Sequence, residues 1–261
     1  MSITSAIRRV LLAVALPLAL VTGWWILSDG STNVFAPPLR TIVGSFDDTW
    51  LHGRLRSEAL PSLLRLLVGY LLAVALGVAV GIPVGASRTL RGYVEPVLEF
   101  FRAIPPPVLV PVLMLFAGIG SPMKVLVIVA GCVWPVLLNT VQGVRAVDAT
   151  LSDTARCYGI TGASRLRHLT VRGASPQIFA GARQALSVGI ILMVISELVA
   201  ANNGLGFTIV QFQRSFAIPE MWTGVILLGL IGVLLSLAFR AVENRMLAWY
   251  FNLRRAQRGS S

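Results

Sequence analysis

An all-α, polytopic membrane bundle of about six transmembrane helices is the fold this sequence predicts. Three observations carry it. Of 261 residues, 56% are hydrophobic and only 13% charged, where a soluble domain carries about a quarter. Mean hydropathy is +0.79, which calls for an apolar solvent as well as a core. The apolar residues also fall into runs of roughly 20, the length that crosses a bilayer. A net charge of +11 would by itself suit nucleic acid, but a nucleic-acid binder is not this apolar. Disorder and coiled coil are excluded by the same figures. Cys132 and Cys157 are too few for a disulfide framework or a four-thiolate zinc site.

The first apolar run, residues 10–27, follows Arg8 and Arg9. A signal peptide has the same basic start. Span length, Trp24 and Trp25 at the end, and the lack of a small-x-small cleavage site favour a retained anchor over residues 1–27. Residues 28–57 are an external loop. Pro37 and Pro38 punctuate it, and near-helical spacing over 39–51 predicts short interfacial helices. A core over 58–249 follows. Its first span covers 60–86, where Gly77, Gly81 and Gly85 put small residues on one face and permit close approach of a neighbouring helix. A break at 87–92 leads to a span at 94–118, a turn at 119–124 and a span at 125–141. After the long polar stretch 143–177, spans are expected at 178–201 and 222–239, and 250–261 form a tail. Alternating these spans collects Arg88, Arg91, the 143–177 stretch and the basic tail on one side. The positive-inside rule then places both termini in the cytoplasm. The +11 charge is read as a topology signal, with a lipid bilayer and no nucleic acid as partner.

Five features are candidates for function. In the 143–177 stretch, a helix over 148–157 is expected to end at Gly159 in a left-handed cap, and Thr161 to cap a second helix carrying Arg165 and Arg167. Such an elbow either docks another protein or is a basic spacer. Glu99 and Arg102, with Glu95 nearby, are three residues apart and pair on one face, since a lone charge in a bilayer costs about 2.5–3.5 kcal/mol. Pro105, Pro106 and Pro107, with Pro111, forbid a straight helix. The resulting kink shapes a pathway or serves packing alone. Glu197, with Asn202 and Asn203, either forms an outer gate or makes interhelical hydrogen bonds, as do Gln184, Ser187 and Ser196. His52 and His168 lie on opposite sides of the membrane, so they cannot share a metal or catalytic site. Serine chemistry lacks a base at membrane depth, and no His-Glu-x-x-His run exists. The remaining rival is a stand-alone secondary transporter or channel, for which only Glu197 and Glu99 offer carboxylates.

The 143–177 stretch resembles the signature loop of ATP-binding-cassette importer permeases. That family's consensus is Glu-Ala-Ala, three residues, Gly, nine residues, then Ile-x-Leu-Pro. Here stand Asp153, Thr154, Ala155 and Gly159, but Arg172 replaces the proline, and a proline comes only at Pro176. Pro61, Arg65, Gly69 and the glycine ladder are similar to the nitrate, sulfonate and taurine branch. So are Phe101 to Pro105, Pro111, Gly118, Gly120, Lys124, Pro135, Asn139, Gly143, Gly204 and Gly206.

The resemblance implies the type I importer permease fold in a bacterial plasma membrane and a pathway subunit that is not itself an enzyme. No Gly-x-x-x-x-Gly-Lys-Ser/Thr loop is present, and the one lysine is Lys124. The chain is expected to bind no cofactor and no metal, with ATP and Mg held by a partner. The implied partners are a second copy, two ATP-binding subunits and an external solute-binding protein. Docking is expected from Asp153, Ala155, Arg156, Gly159, Gly162, Arg165, Arg167 and His168. The path is expected to involve Arg102, Pro105, Pro106, Pro107, Val110, Met114, Gln184, Met193 and Glu197. Because the glycine ladder and the Glu99–Arg102 pair need partners in lipid, a homodimer is expected. The solute class implied is a small anion or organic acid, with Arg65, Arg102 and Arg183 available to make an inward path positive.

Overall fold

The structure, a computed structural model, describes residues 3–199 and 202–259, with side chains from 15 to 253 apart from 200 and 201. The start of the expected anchor, the end of the fifth span at 201 and the last tail residues lie outside it. Every regular element among the described residues is helical. The chain opens with α1 (Ile3–Ser28) and α2 (Leu39–Phe46). Two π-helical turns, Asp47–Leu51 and Leu55–Ala59, lead into α3 (Leu60–Ala86). Then come α4 (Arg88–Ala103), a 3-10 turn at Pro106–Val108, α5 (Leu109–Ala117) and α6 (Ser121–Arg145). After α7 (Ala149–Cys157) and α8 (Gly162–Arg165), a π-helical turn at Leu166–Val171 joins α9 (Arg172–Val199). The chain continues through α10 (Leu205–Arg214), α11 (Ile218–Met246) and α12 (Ala248–Gly259).

Four of these stretches, Leu55–Ala86, Ser121–Arg145, Gly162–Val199 and Ile218–Met246, are long and apolar enough to cross a membrane. The expected third span is not one helix. It is α4 and α5, bent by 73° at the prolines. Pro106 and Pro107 have no amide hydrogen to donate, so the helical ladder stops where they stand.

The glycines set the packing of the bundle. A Cβ on Gly69 would collide with Ile128, on Gly77 with Val136, on Gly81 with Thr140 and on Gly85 with Val144. The ladder expected to meet a second copy is therefore filled by α6 of the same chain, and it carries no evidence of a dimer. Partner numbers rise together along this seam, so α3 and α6 run in the same direction. The bent α4–α5 pair between them must return the chain across the bundle. Along the α6–α9 seam the numbers run oppositely: Gly189 meets Cys132, Gly181 meets Pro135 and Asn139, and Gly143 meets Gln177. The core lies around α6, where Met123, Val127, Ile128, Cys132 and Val136 are enclosed by Leu66, Ala73, Ala185, Leu192 and Met193.

A second cluster joins the outer elements. Trp50 is fully buried among Leu205, Phe212, Leu227 and Ile231, and its indole N–H donates to Thr223 Oγ1 at 2.8 Å. Buried Trp usually needs such a partner. Trp24 near the end of α1 stacks edge-on with Trp222 near the start of α11, so those helix ends share one end of the bundle.

Candidate functional site

Three places hold the polar groups: a helical elbow at one end, a buried network at the other, and the broken helix between them. At the elbow, α7 begins under Asp148, whose carboxylate accepts from Thr150 N at 2.6 Å. This N-cap was not among the expected docking residues, although an Asp before a helical run is its usual signal. The helix ends as expected. Gly159 has φ +68°, its N–H donates to Arg156 O (3.0 Å), and Ile160 N–H donates to Ala155 O (2.8 Å). These bonds satisfy carbonyls left open at the helix end. Thr161 occupies the cap position of α8 but makes no side-chain cap bond. Gly162 also has positive φ, at +56°.

The elbow's side chains divide between holding its shape and facing outward. Arg165 donates to Ser152 Oγ at 2.5 Å and ties the second helix to the first. Ala155 is buried. Asp153 and Arg156 form an exposed pair at 3.4 Å, while Arg167 and His168 are exposed. Tyr158 and Leu151 present exposed apolar surface, Tyr158 at 81%. A cavity of about 460 Å³ is lined by Gly85, Ala86, Val144, Ser152, Arg156 and Arg165. The elbow thus sits at the end of the bundle where α3 and α6 terminate.

At the opposite end a polar network is enclosed. Arg65 Nη1 pairs with Glu197 Oε1 at 3.0 Å, with side-chain exposures of 8% and 1%. Arg65 also donates to Ser121 Oγ (3.0 Å) and Asn203 Oδ1 (2.5 Å). The Glu197 carboxylate accepts from Ser62 Oγ (2.7 and 2.9 Å) and from Gly206 N (3.0 Å). Lys124 is buried and donates to Asn203 O at 3.1 Å. Gly204 N–H donates to Glu58 Oε2 at 2.7 Å, and Gly204, at φ +121°, has no room for a Cβ beside Glu197.

Two expectations are corrected here. Glu197, expected on the path, is walled in between α3, α9 and α10, because a carboxylate at this depth needs a cation and donors around it. Lys124, expected in an external turn, is in the first turn of α6. Ser62, Ser121 and Glu58 were not singled out in the sequence. Nothing in their local pattern announces partners more than fifty residues away.

In the middle, Pro105, Pro106 and Pro107 form the break, and Pro106 lies against Gly131 of α6. Val110 and Met193 were expected on the path but are fully buried in the chain's own core. Both belong to the core cluster around α6, a placement that helical periodicity alone does not distinguish from a path. Met114 is half-buried and Gln184 exposed. Arg102 pairs with Glu99 at 2.6 Å as expected, both about half exposed. Arg183 pairs with Glu243 of α11. All three arginines considered for a positive path therefore have acidic partners.

Residues 73–248 match the family described as binding-protein-dependent transport system inner membrane component. Over 252 residues the chain is 32% identical to the taurine transport system permease protein TauC of Escherichia coli, covering 93% of this chain and 91% of that one. It is 29% identical to the putative aliphatic sulfonates transport permease protein SsuC of Bacillus subtilis, covering 90% and 86%. Identity is 28% to the bicarbonate transport system permease protein CmpB of Synechococcus elongatus, covering 93% and 90%. Among solved structures, an inward-facing conformation of the MetNI methionine ABC transporter superposes with a TM-score of 0.62 at 20% identity, covering 72% of this chain and 93% of that one.

Proposed function

Because this chain belongs to the family of binding-protein-dependent transport system inner membrane components, a multi-pass permease subunit of an ATP-binding-cassette importer, we propose the following assembly and solute. Two copies pair around a path, and two separate ATPase subunits, which carry ATP and Mg, dock from the cytoplasm on the α7–Gly159–α8 elbow. An external binding protein delivers solute at the end held by the Arg65–Glu197 network. Both termini face the cytoplasm. The observation that carries this reading is the family match joined to the elbow's form: a rigid, glycine-broken helix pair with exposed Leu151 and Tyr158 at the end where the basic loops gather. A cytosolic loop that exposes large apolar side chains marks a protein-docking surface.

The solute is a small oxyanion or organic acid. The names of the relatives support this class, since taurine, aliphatic sulfonates and bicarbonate all carry acceptor-rich anionic heads. The testing experiment is co-purification with an ATPase encoded beside it, followed by ATP turnover with the binding protein loaded with taurine, ethanesulfonate or bicarbonate. Stimulated turnover with one of these supports the proposal. Failure of any ATPase to co-purify contradicts it.

A further inference from the structure

The inner half of α9 carries an exposed strip of uncharged polar side chains. Gln177 and Gln184 are seven residues apart and Ser187 three further on, a spacing that puts them on one face, and all three are exposed. The neighbouring Arg183 is held aside by Glu243 of α11. Across the α6–α9 groove stands half-buried Asn139. Its Nδ2 donates both to Pro135 O at 2.8 Å and to Gln184 Oε1 at 3.2 Å. Asn139 therefore engages the acceptor end of Gln184. The Nε2 amide nitrogen of this exposed side chain has no acceptor among the described residues, which leaves both its hydrogens free to donate.

The strip lies inward of the proline break. Eight residues toward the other end of each helix, about 12 Å at 1.5 Å per residue, are Gly131 and Leu192, where Pro106 covers the groove. Irregular backbone at membrane depth persists where protein covers it or a water-filled cavity adjoins it. Amides and a hydroxyl exposed to hydrocarbon are unfavourable, which directs this face to water. No carboxylate lies on the strip, and its free hydrogen-bonding capacity at Gln184 is that of a donor. Neutral donors hold an anion weakly enough for it to leave again, as conduction requires.

We propose that Gln184, with Asn139 as its positioning residue, is a selectivity residue on the inner half of the path, donating hydrogen bonds to the oxyanion head of a passing solute. The proposal rests on the reading of this chain as an import path. Its test needs no active transport, so its failure and the failure of that reading are separable.

The full chain, with its ATPase, is placed in nanodiscs as a Cys157→Ser, Ser187→Cys variant, which leaves the buried Cys132 as the other thiol. The probes are a sulfonate-bearing and a trimethylammonium-bearing methanethiosulfonate, each rate normalised to glutathione. The sulfonate reagent is expected to react about fivefold faster, the scale of one net hydrogen bond. Gln184→Leu should bring the ratio near unity, Gln184→Glu should invert it, and Asn139→Leu should lower it by freeing the amide to turn. A ratio unchanged by all three substitutions overturns the proposal. So does an introduced thiol at position 187 that neither reagent reaches in any nucleotide state, which would place the strip against lipid or a second copy.

Discussion

Arg65 and Glu197 show what a buried charge requires in this bundle. Each is enclosed and satisfied by the other and by neutral groups: Ser121 and Asn203 for Arg65, Ser62 and the Gly206 amide for Glu197. Removing one partner leaves an uncompensated charge, which costs about 3–5 kcal/mol, whereas replacing both by apolar groups is often neutral. Arg65→Met should therefore lower the thermal midpoint of the detergent-purified chain sharply, and adding Glu197→Gln should restore part of it. Additive losses in the double variant would show that the pair is not coupled. The exposed Glu99–Arg102 pair is a contrast, since such pairs contribute about 0.2–1 kcal/mol. Arg102→Ala should scarcely move the same midpoint. Glu99–Arg102 was legible in the sequence because both members lie on one helical turn. Arg65–Glu197 was not, because its members are joined only by the packing of α3 against α9 through α6. The same gap explains Val110 and Met193, whose local pattern suits a path as well as a core.

Among the elements, the α3–α6 seam and the elbow carry different kinds of glycine. In the seam the constraint is space. A Cβ on Gly81 would stand 2.7 Å from the Thr140 side chain and 3.0 Å from Leu137 O, and overpacking of this kind costs about 1–3 kcal/mol. Gly81→Val should thus reduce folded yield and thermal stability. Gly92→Ala, where nothing lies within 4 Å, should leave both as they are. At the elbow the constraint is backbone. Nothing lies within 4 Å of a Cβ on Gly159, but its φ is +68°, so a β-branched residue costs about 1 kcal/mol or more and redirects the following helix. Gly159→Val is expected to insert normally, to bind the ATPase poorly and to lose uptake. Normal uptake at wild-type expression would reduce the loop to a spacer. Asp153→Ala should be milder, since its pair with Arg156 is exposed. Asp148→Ala should cost α7 about 1 kcal/mol through loss of its cap, read as a weaker helical signal in an elbow peptide or faster amide exchange over 149–157. The elbow was readable because caps and glycine stops are local signals. The 73° break was readable only as a kink, since prolines announce where a helix fails and not how far the chain turns.

In the whole molecule, the direction of each helix follows from its seams. α3 and α6 run together and α9 returns against them, which makes the bent α4–α5 pair a crossing despite its short helices. This geometry puts the elbow at one end of the bundle and the Arg65–Glu197 network at the other. Under the proposed ATPase docking at the elbow, motion at the first end reaches the second through α6 and α9, which pack closely over Gly131, Gly181 and Gly189. Leu115 and Phe116 of α5 remain 87% and 84% exposed, apolar surface available to lipid or to a second copy. The most direct measurement is native mass together with nucleotide-dependent uptake in proteoliposomes containing this chain, its ATPase and the taurine-loaded binding protein. The predicted result is a complex of two chains and two ATPases that accumulates solute only while ATP is hydrolysed. A single chain that moves solute at the same rate without the ATPase would contradict it.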